Sequence, residues 1–431
     1  MHKNDRSAYQ SESILAEGVT LSNDTWHTGL NCNQLVLGPS GSGKTRNFLK
    51  PNLLQANASY LVLDTKGLLY REVGPVLAGL GYEVQNVNFA DVAGTVGYDP
   101  LDHIRRDPQT GEPSQQDIIS VASALSPKES LQDPFWEQAA ANYLASFIAY
   151  VLETHPAKAQ SFDRVVKLFE ACVKPDDMDG LFMSLERDWP NSFALAMYRR
   201  ASCTQTAEKM HASIMGIIAE KLMCLGFKGA TSLFRNPRRV DFARMGRRRV
   251  ALFVSVSDTD PSLLPLTSLF VSQAIQGLLR AADAMPNGML PVPVRLFLDD
   301  FSNLRIPDFD KVISVTRSRE VWCTLLCQSV AQLQSMYGAA GAETIMGNCD
   351  AQLVLAFMDN ATTAAYAGRA GRTPDTLLAT PLDESWLFLR GRKPIKVHKY
   401  DLTAHQRYGS VASKNVMPDN KAEEGSNGVG R

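Results

Sequence analysis

The run Gly38-Pro39-Ser40-Gly41-Ser42-Gly43-Lys44-Thr45 fits the pattern G-x-x-x-x-G-K-[ST]. Glycines let such a loop wrap so that consecutive N–H groups point inward at one anion. The helix expected from Arg46 onward adds the positive end of its dipole. Lys44 is then set to reach the β- and γ-phosphates of a nucleotide, and Thr45 to ligate Mg²⁺. Arg46 follows directly and joins the nucleotide-contacting residues. A Gly-rich surface turn is the plainer reading. Against it, the run follows an apolar strand and opens a helix, as the chemistry requires.

A divalent cation at such a loop needs a carboxylate. The stretch RLFLDD closes an apolar strand with Asp299 and Asp300, at the strand end where open α/β sheets bind ligands. Asp299 is assigned to the Mg²⁺ shell and Asp300 to the base that orients an attacking water. A strand-end turn is the alternative for an Asp-Asp pair taken alone. Gln328 closes the next strand, VWCTLLC. Its amide is a candidate sensor of the γ-phosphate, or simply a helix-capping or loop residue.

These residues need a sheet to bring them together. The chain has 431 residues, 45 % of them hydrophobic, so a large core is available. QLVL (Gln34–Leu37), YLVL (Tyr60–Leu63) and YEVQNVNF (Tyr82–Phe89) read as strands separated by helical segments, the pattern of a parallel sheet covered by helices. From about Ser114 to Leu233 apolar residues instead recur at three and four, with no convincing strand. The α/β pattern resumes at Arg249–Val256, followed by a helix over Leu266–Ala284. Further strands are expected at Val294–Asp300, Val321–Cys327, Ala351–Phe357 and Ser385–Arg390, with a helix near Asp308–Arg317. The fold class is therefore α/β with an inserted all-α domain. The α/β domain is discontinuous, over 16–105 and 235–402. The helical domain spans 106–234, and polar, disordered arms are expected at 1–15 and 403–431.

Composition excludes some functions. Formal net charge is −1, so the whole molecule is not drawn to nucleic acid. Seven scattered cysteines with no CxxC pair read as reduced thiols rather than a disulfide frame or zinc site. Cys323 and Cys327 share one face of a strand and read as core. The longest helical apolar stretch, Tyr143–Leu152, is too short to span a bilayer. Arg235, Arg238, Arg239, Arg244, Arg247, Arg248 and Arg249 form a run that could track phosphates, or a solvated loop. Trp136 in DPFWEQ reads as a packing residue.

Several ordered stretches together resemble the type IV secretion coupling proteins, the TraG-type conjugative ATPases, in the form found on mobile elements of Gram-positive bacteria. They include VLGPSGSGKTRNFLKPNLLQAN, LVLDTKGLLYREVG, GYDPLDHI, FLDDFSNLRIPDFDKVISVTRSREV, CQSVAQLQSMYG and LFLRGRKPIKVHKYDL. The resemblance covers about Leu15 to Leu402. It implies a RecA-like P-loop NTPase domain that binds ATP and Mg²⁺, an all-α cargo-side domain, and assembly into a homo-hexamer. It also implies work on DNA, single- or double-stranded, with a relaxase or relaxosome, at the channel of a secretion system. In such rings nucleotide lies between subunits and a neighbour's arginine completes the site. Arg317 and Arg319 of TRSRE occupy the matching region, Arg317 being slightly favoured over Arg319; a solvated helix end is the alternative for either.

Three departures bear on function. The family's Asp-Glu pair is Asp299-Asp300, one methylene shorter, so slow hydrolysis is expected. Its Asp-Pro-Lys-Gly-Glu is Asp64-Thr-Lys66-Gly67-Leu68, without the final acid. Relatives begin with transmembrane helices and this sequence contains none. The expectation is a cytoplasmic protein at the inner face of the membrane, docked on a membrane partner or lacking a removed anchor. An ATP-binding cargo platform with little turnover is the second expectation.

Overall fold

The computed structural model describes residues 12–412, except 66, 91–93, 127–134, 173–174 and 258. Eleven strands occur among them: β1 (Glu12–Ala16), β2 (Val19–Ser22), β3 (Gln34–Leu37), β4 (Ser59–Thr65), β5 (Glu83–Asn88), β6 (Val250–Val256), β7 (Val294–Leu298), β8 (Val321–Cys327), β9 (Ala351–Val354), β10 (Glu384–Leu389) and β11 (Ile395–His398). β1 and β2 form a hairpin. The other nine make one sheet in the order β11-β10-β9-β3-β8-β7-β4-β6-β5. The seven strands from β9 to β5 run parallel, and β10 and β11 close one edge antiparallel.

Near-continuous apolar strands are what a sheet covered on both faces demands. Alternation sorts each strand between two cores. Leu35, Leu37, Leu61, Leu63, Leu296 and Leu298 pack on the side shared with the helical region. Val36, Tyr60, Val62, Phe297 and Leu326 pack on the other, against the helix after β3, the helix Leu68–Gly79 and the β1–β2 hairpin. Each such leucine, taken from water, contributes about 1.5–3 kcal/mol.

Every regular element described from Pro100 to Met245 is helical, from Gln115–Leu125 to Lys228–Arg235 and then a short turn at Phe242–Met245. This matches the expected run of period 3.6. The 20-residue helix Phe135–Thr154 runs through its centre, and Trp136 packs against the core. No single described helix is long and apolar enough to cross a membrane. All seven cysteines are free; Cys203 is exposed and the rest are buried.

Two expectations need correction. Residues 12–15 are not part of a loose arm, because Ile14 and Leu15 of β1 are buried. Residues 403–412 are ordered too, in a turn over Leu402–Ala404 and a helix over Tyr408–Ala412, with Val411 buried. The remaining residues of both expected arms, 1–11 and 413–431, lie outside the described residues, as does Lys66.

The hairpin is held by an unusual group. Arg295 of β7 is 1 % exposed. Its guanidinium donates to Gln34 Oε1 at 2.9 Å, Thr324 Oγ1 at 3.1 Å, Ser13 Oγ at 3.0 Å and Asn23 Oδ1 at 3.1 Å. It also lies over the Trp322 ring at 4.9 Å. Neutral oxygens and a ring face thus stand in for a carboxylate. Ser13 falls in the expected polar arm because its partner, Arg295, is far away in the chain.

Candidate functional site

The C-terminal ends of β3, β8 and β7 are adjacent, and the site sits there. β3 pairs β8 with Leu37 opposite Cys327, and β8 pairs β7 with Leu325 opposite Leu298. Three loops leaving neighbouring strands therefore bring Gly38–Thr45, Gln328 and Asp299-Asp300 together at the C-terminal end of the sheet.

The loop after β3 is shaped by two left-handed glycines, Gly41 at φ 78° and Gly43 at φ 100°. A side chain on Gly43 would lie 2.0 Å from Asn47 Oδ1, and one on Gly38 would lie 2.4 Å from Ser42 Oγ. The loop opens a helix that starts as a wide π turn over Lys44–Leu49 and continues as α over Lys50–Leu54. Such turns gather at functional sites. The Lys44 side chain folds over the loop, its ammonium donating to Gly38 O at 2.7 Å and Pro39 O at 3.3 Å. Ser42 Oγ is buried without a partner among the described residues. Pro39 and Ser40 form the loop's outer arm, and Arg46 is exposed beside it.

Thr45 Oγ1 is 3.4 Å from Asp299 Oδ2. Burial, then the neighbouring Asp300 carboxylate, push the Asp299 pKa up to about 6, with Lys44 opposing. A carboxylate and a hydroxyl this close suit Mg²⁺. That ion takes one or two protein oxygens and fills its octahedron with phosphate and water. Two protein oxygens, Thr45 Oγ1 and Asp299 Oδ2, fit an ion whose remaining positions are filled by phosphate and water.

Asp300 has a left-handed backbone, φ 48° and ψ 39°. The conformation costs on the order of 1 kcal/mol in a residue with a side chain, and is the kind of outlier that clusters at active sites. Its N–H donates to Asp299 Oδ1 at 3.1 Å. Gln328 Nε2 lies 3.4 Å from Asp300 Oδ1, Gln332 Nε2 lies 3.4 Å from Gln328 Oε1, and Ser302 Oγ donates to Gln332 Oε1 at 3.0 Å. Gln332 and Ser302 were not foreseen. Their signal was available in part: Gln328 and Gln332 are four apart on the run that opens the helix Val330–Gly347, whose N-cap, Ser329, accepts from Gln332 N.

The other expected residues fall elsewhere. Arg317 and Arg319 precede β8, at the N-terminal end of the parallel strands, whereas the phosphate loop of their own chain lies at the C-terminal end. Arg317 is exposed and lies 3.4 Å from Thr25 O and 3.5 Å from Gly29 O. Arg319 is tied to Asp283 at 2.7 Å and to Val315 O at 3.1 Å. Of the arginine run, Arg235 pairs with Asp163, Arg239 with Asp102 and Arg244 with Glu83, while Arg249 lies over Tyr82. Asp64 is buried and accepts from Leu69 N at 3.0 Å and Tyr70 N at 2.8 Å, so it caps a helix. Leu68, in place of the family's acid, is half exposed. A cavity of about 510 Å³ lined by Gln334, Glu343, Asp350 and Arg369 lies by the N-terminal end of β9, away from these groups.

Comparison with known proteins places this geometry in a group. A family model described as type IV secretory system conjugative DNA transfer matches residues 2–370. The conjugal transfer protein TraG of Escherichia coli is 24 % identical over 338 residues, 74 % of this chain and 51 % of that protein. VirD4 of Agrobacterium fabrum is 22 % identical over 347 residues, 78 % of this chain and 49 % of that protein. The chain thus spans about half the length of these curated relatives. Among solved structures, the plasmid coupling protein TrwB in complex with ADP and Mg²⁺ superposes with a TM-score of 0.71. It is 16 % identical and covers 91 % of this chain and 89 % of that one, a likeness of fold.

Proposed function

Because the chain belongs to the type IV secretory system conjugative DNA transfer family, we propose that it is the coupling ATPase of a conjugative secretion system, binding ATP with Mg²⁺ and recruiting and driving DNA–relaxase cargo to the channel. The observation that carries this is the convergence of Lys44, Thr45 and Asp299 at the C-terminal end of the sheet, with Asp300 and Gln328 behind them.

Each group has a role. The backbone N–H groups of Gly38 to Thr45, with Pro39 and Ser40 on the outer arm, wrap the phosphates. Lys44 exchanges the carbonyls of Gly38 and Pro39 for phosphate oxygens. Thr45 and Asp299 hold the cation, which supplies neutralisation of phosphate charge. Asp300 orients the attacking water and takes up its proton at a carboxylate oxygen, and Gln328 reports on the γ-phosphate. Arg46 covers the outer side of the nucleotide. Arg317, with Arg319 as the alternative, reaches a neighbour's phosphates across the seams of a hexameric ring. Its exposure and distance from its own loop support action in trans. The ring works at the cytoplasmic face of the membrane, docked on a membrane partner.

A second reading, an ATP-bound cargo platform with little turnover, is favoured by the short Asp300 side chain and by Leu68. Phosphate release from Mg·ATP, with and without DNA and across protein concentration, separates them. The motor reading expects turnover that rises with both and disappears in Lys44→Ala. Binding of ATP with turnover no faster than that variant would leave the platform.

A further inference from the structure

The segment after β11 grips the phosphate-loop helix at both ends. Lys399 Nζ donates to Ser42 O, near the apex of the loop, at 3.1 Å. Asn47, one turn into the helix, donates from Nδ2 to Tyr400 O at 2.8 Å. The same Asn47 packs its Oδ1 where only a glycine at 43 leaves room. Nine residues beyond the strand, Arg407 donates to Gln55 O at 2.9 Å and also to Leu54 O. Leu402 and Val411 are buried between these polar grips, in the core that also holds Phe48 and Leu53. Lys399 is anchored in turn by its N–H on Asp383 O at 2.9 Å.

The carbonyl of a phosphate loop is a liability when its N–H groups must all face inward. Curling the N–H groups toward an anion turns neighbouring carbonyls outward, and each needs a donor. Ser42 O has one, and it is a cation on a separate part of the chain. We propose that Lys399 is a positioning residue of the nucleotide site: it holds the Ser42 carbonyl outward and so keeps the loop in the shape that receives phosphate. This rests on the phosphate-binding reading of Gly38–Thr45. Tyr400 contributes through its backbone, by way of Asn47.

The test is a titration of the full chain with Mg·ADP and Mg·ATP, with hydrolysis rates on the same samples. Lys399→Met is expected to weaken binding of both nucleotides about ten-fold, as loss of one charge-assisted hydrogen bond would, with kcat at saturating ATP changed much less than KM. Lys399→Arg, which keeps charge and donors, should recover most of the loss, and Tyr400→Phe should bind as the wild type does. Hydrogen exchange supplies a second readout: Mg·ADP should slow exchange at residues 399–402 in the wild type and not in Lys399→Met. Wild-type affinity in a folded Lys399→Met, or no recovery in Lys399→Arg, would overturn the proposal while leaving the phosphate loop intact. Failure of the wild type itself to bind more tightly than Lys44→Ala would sink the phosphate reading, and this inference with it.

Discussion

The Gln328 amide nitrogen stands 3.4 Å from the Asp300 carboxylate, across the gap between two adjacent strand ends. The contact ties the group meant to sense phosphate to the group meant to orient water. It also limits how far Asp300 reaches, because one of its oxygens is turned toward the amide. Asp300→Glu should therefore raise kcat about ten-fold, part of the roughly 100-fold that a 1 Å misplacement can cost, with nucleotide affinity unchanged. Steady-state phosphate release and ADP titration check both halves. A fall in kcat would remove Asp300 from the proposed role. Gln328→Leu should lower kcat and leave KM near the wild-type value.

Arg317 and Arg319 differ in their surroundings, and so should their variants. Arg319 is committed to Asp283, whereas among the described residues Arg317 makes hydrogen bonds only to backbone carbonyls, at 3.4–3.5 Å. Arg317→Ala should cost on the order of 10³ in kcat, the lower end of what such an arginine supplies, with ATP binding retained. Arg319→Ala should cost far less. Mixing Arg317→Ala with Lys44→Ala should restore some turnover, because a seam joining the intact loop of one chain to the intact arginine of another is then whole. Absence of complementation in a mixed ring would argue against action in trans.

Arg295 is a stability group. Arg295→Ala would leave the Ser13–Asn23 and Thr324–Gln34 hydrogen bonds but remove the charged donor that all four share and open a buried gap beside Trp322. Denaturant unfolding should register a loss of about 3 kcal/mol or more. Nucleotide affinity should fall much less than stability, since the guanidinium bonds to the opposite end of β3. A loss below 1 kcal/mol would mean that water replaces the guanidinium.

The junction with the helical region should respond to pH. Asp99 accepts from Leu101 N at 3.0 Å and Phe162 N at 2.9 Å, and burial pushes its pKa up to about 7 from 3.8. The folded state then holds this proton more tightly than the unfolded chain. Its contribution is fully present below about pH 4 and is lost as pH rises through 7. His103 beside it is pushed down to about 4 by burial and by Arg280 and Arg239, so it stays neutral through that window. Asp102 faces Arg239. Asp99→Asn should flatten the decline in melting temperature between about pH 4 and 7. An unchanged slope would assign the decline to other groups.

The sheet was legible because its strands are apolar on both faces: β3 and β8 have the bounds expected for them, and β4, β6, β7 and β10 differ by a residue or two. What stayed hidden was whatever depends on distant polar partners. β1 reads as a polar arm until Arg295 is seen to bond Ser13. β11, with only Val397 buried, has no alternation to detect. The phosphate loop and Asp299 could be found in sequence because their spacing is local and their strand context is strong. Gln332 was legible only through its four-residue spacing from Gln328, and Ser302 and Lys399 were not legible, because each acts through a neighbour brought in by the fold. Three members of the arginine run, Arg235, Arg239 and Arg244, pair with Asp163, Asp102 and Glu83, partners that lie too far along the chain to be read from the run itself.

The central claim is that Thr45 and Asp299 hold one divalent ion together with nucleotide. Binding of ADP measured with Mg²⁺ and with chelator tests it most directly, in the wild type, Thr45→Ala and Asp299→Asn. The account predicts that Mg²⁺ tightens ADP binding in the wild type and that both variants lose most of that gain while still binding ADP in chelator. Equal Mg²⁺ enhancement in all three proteins would contradict it.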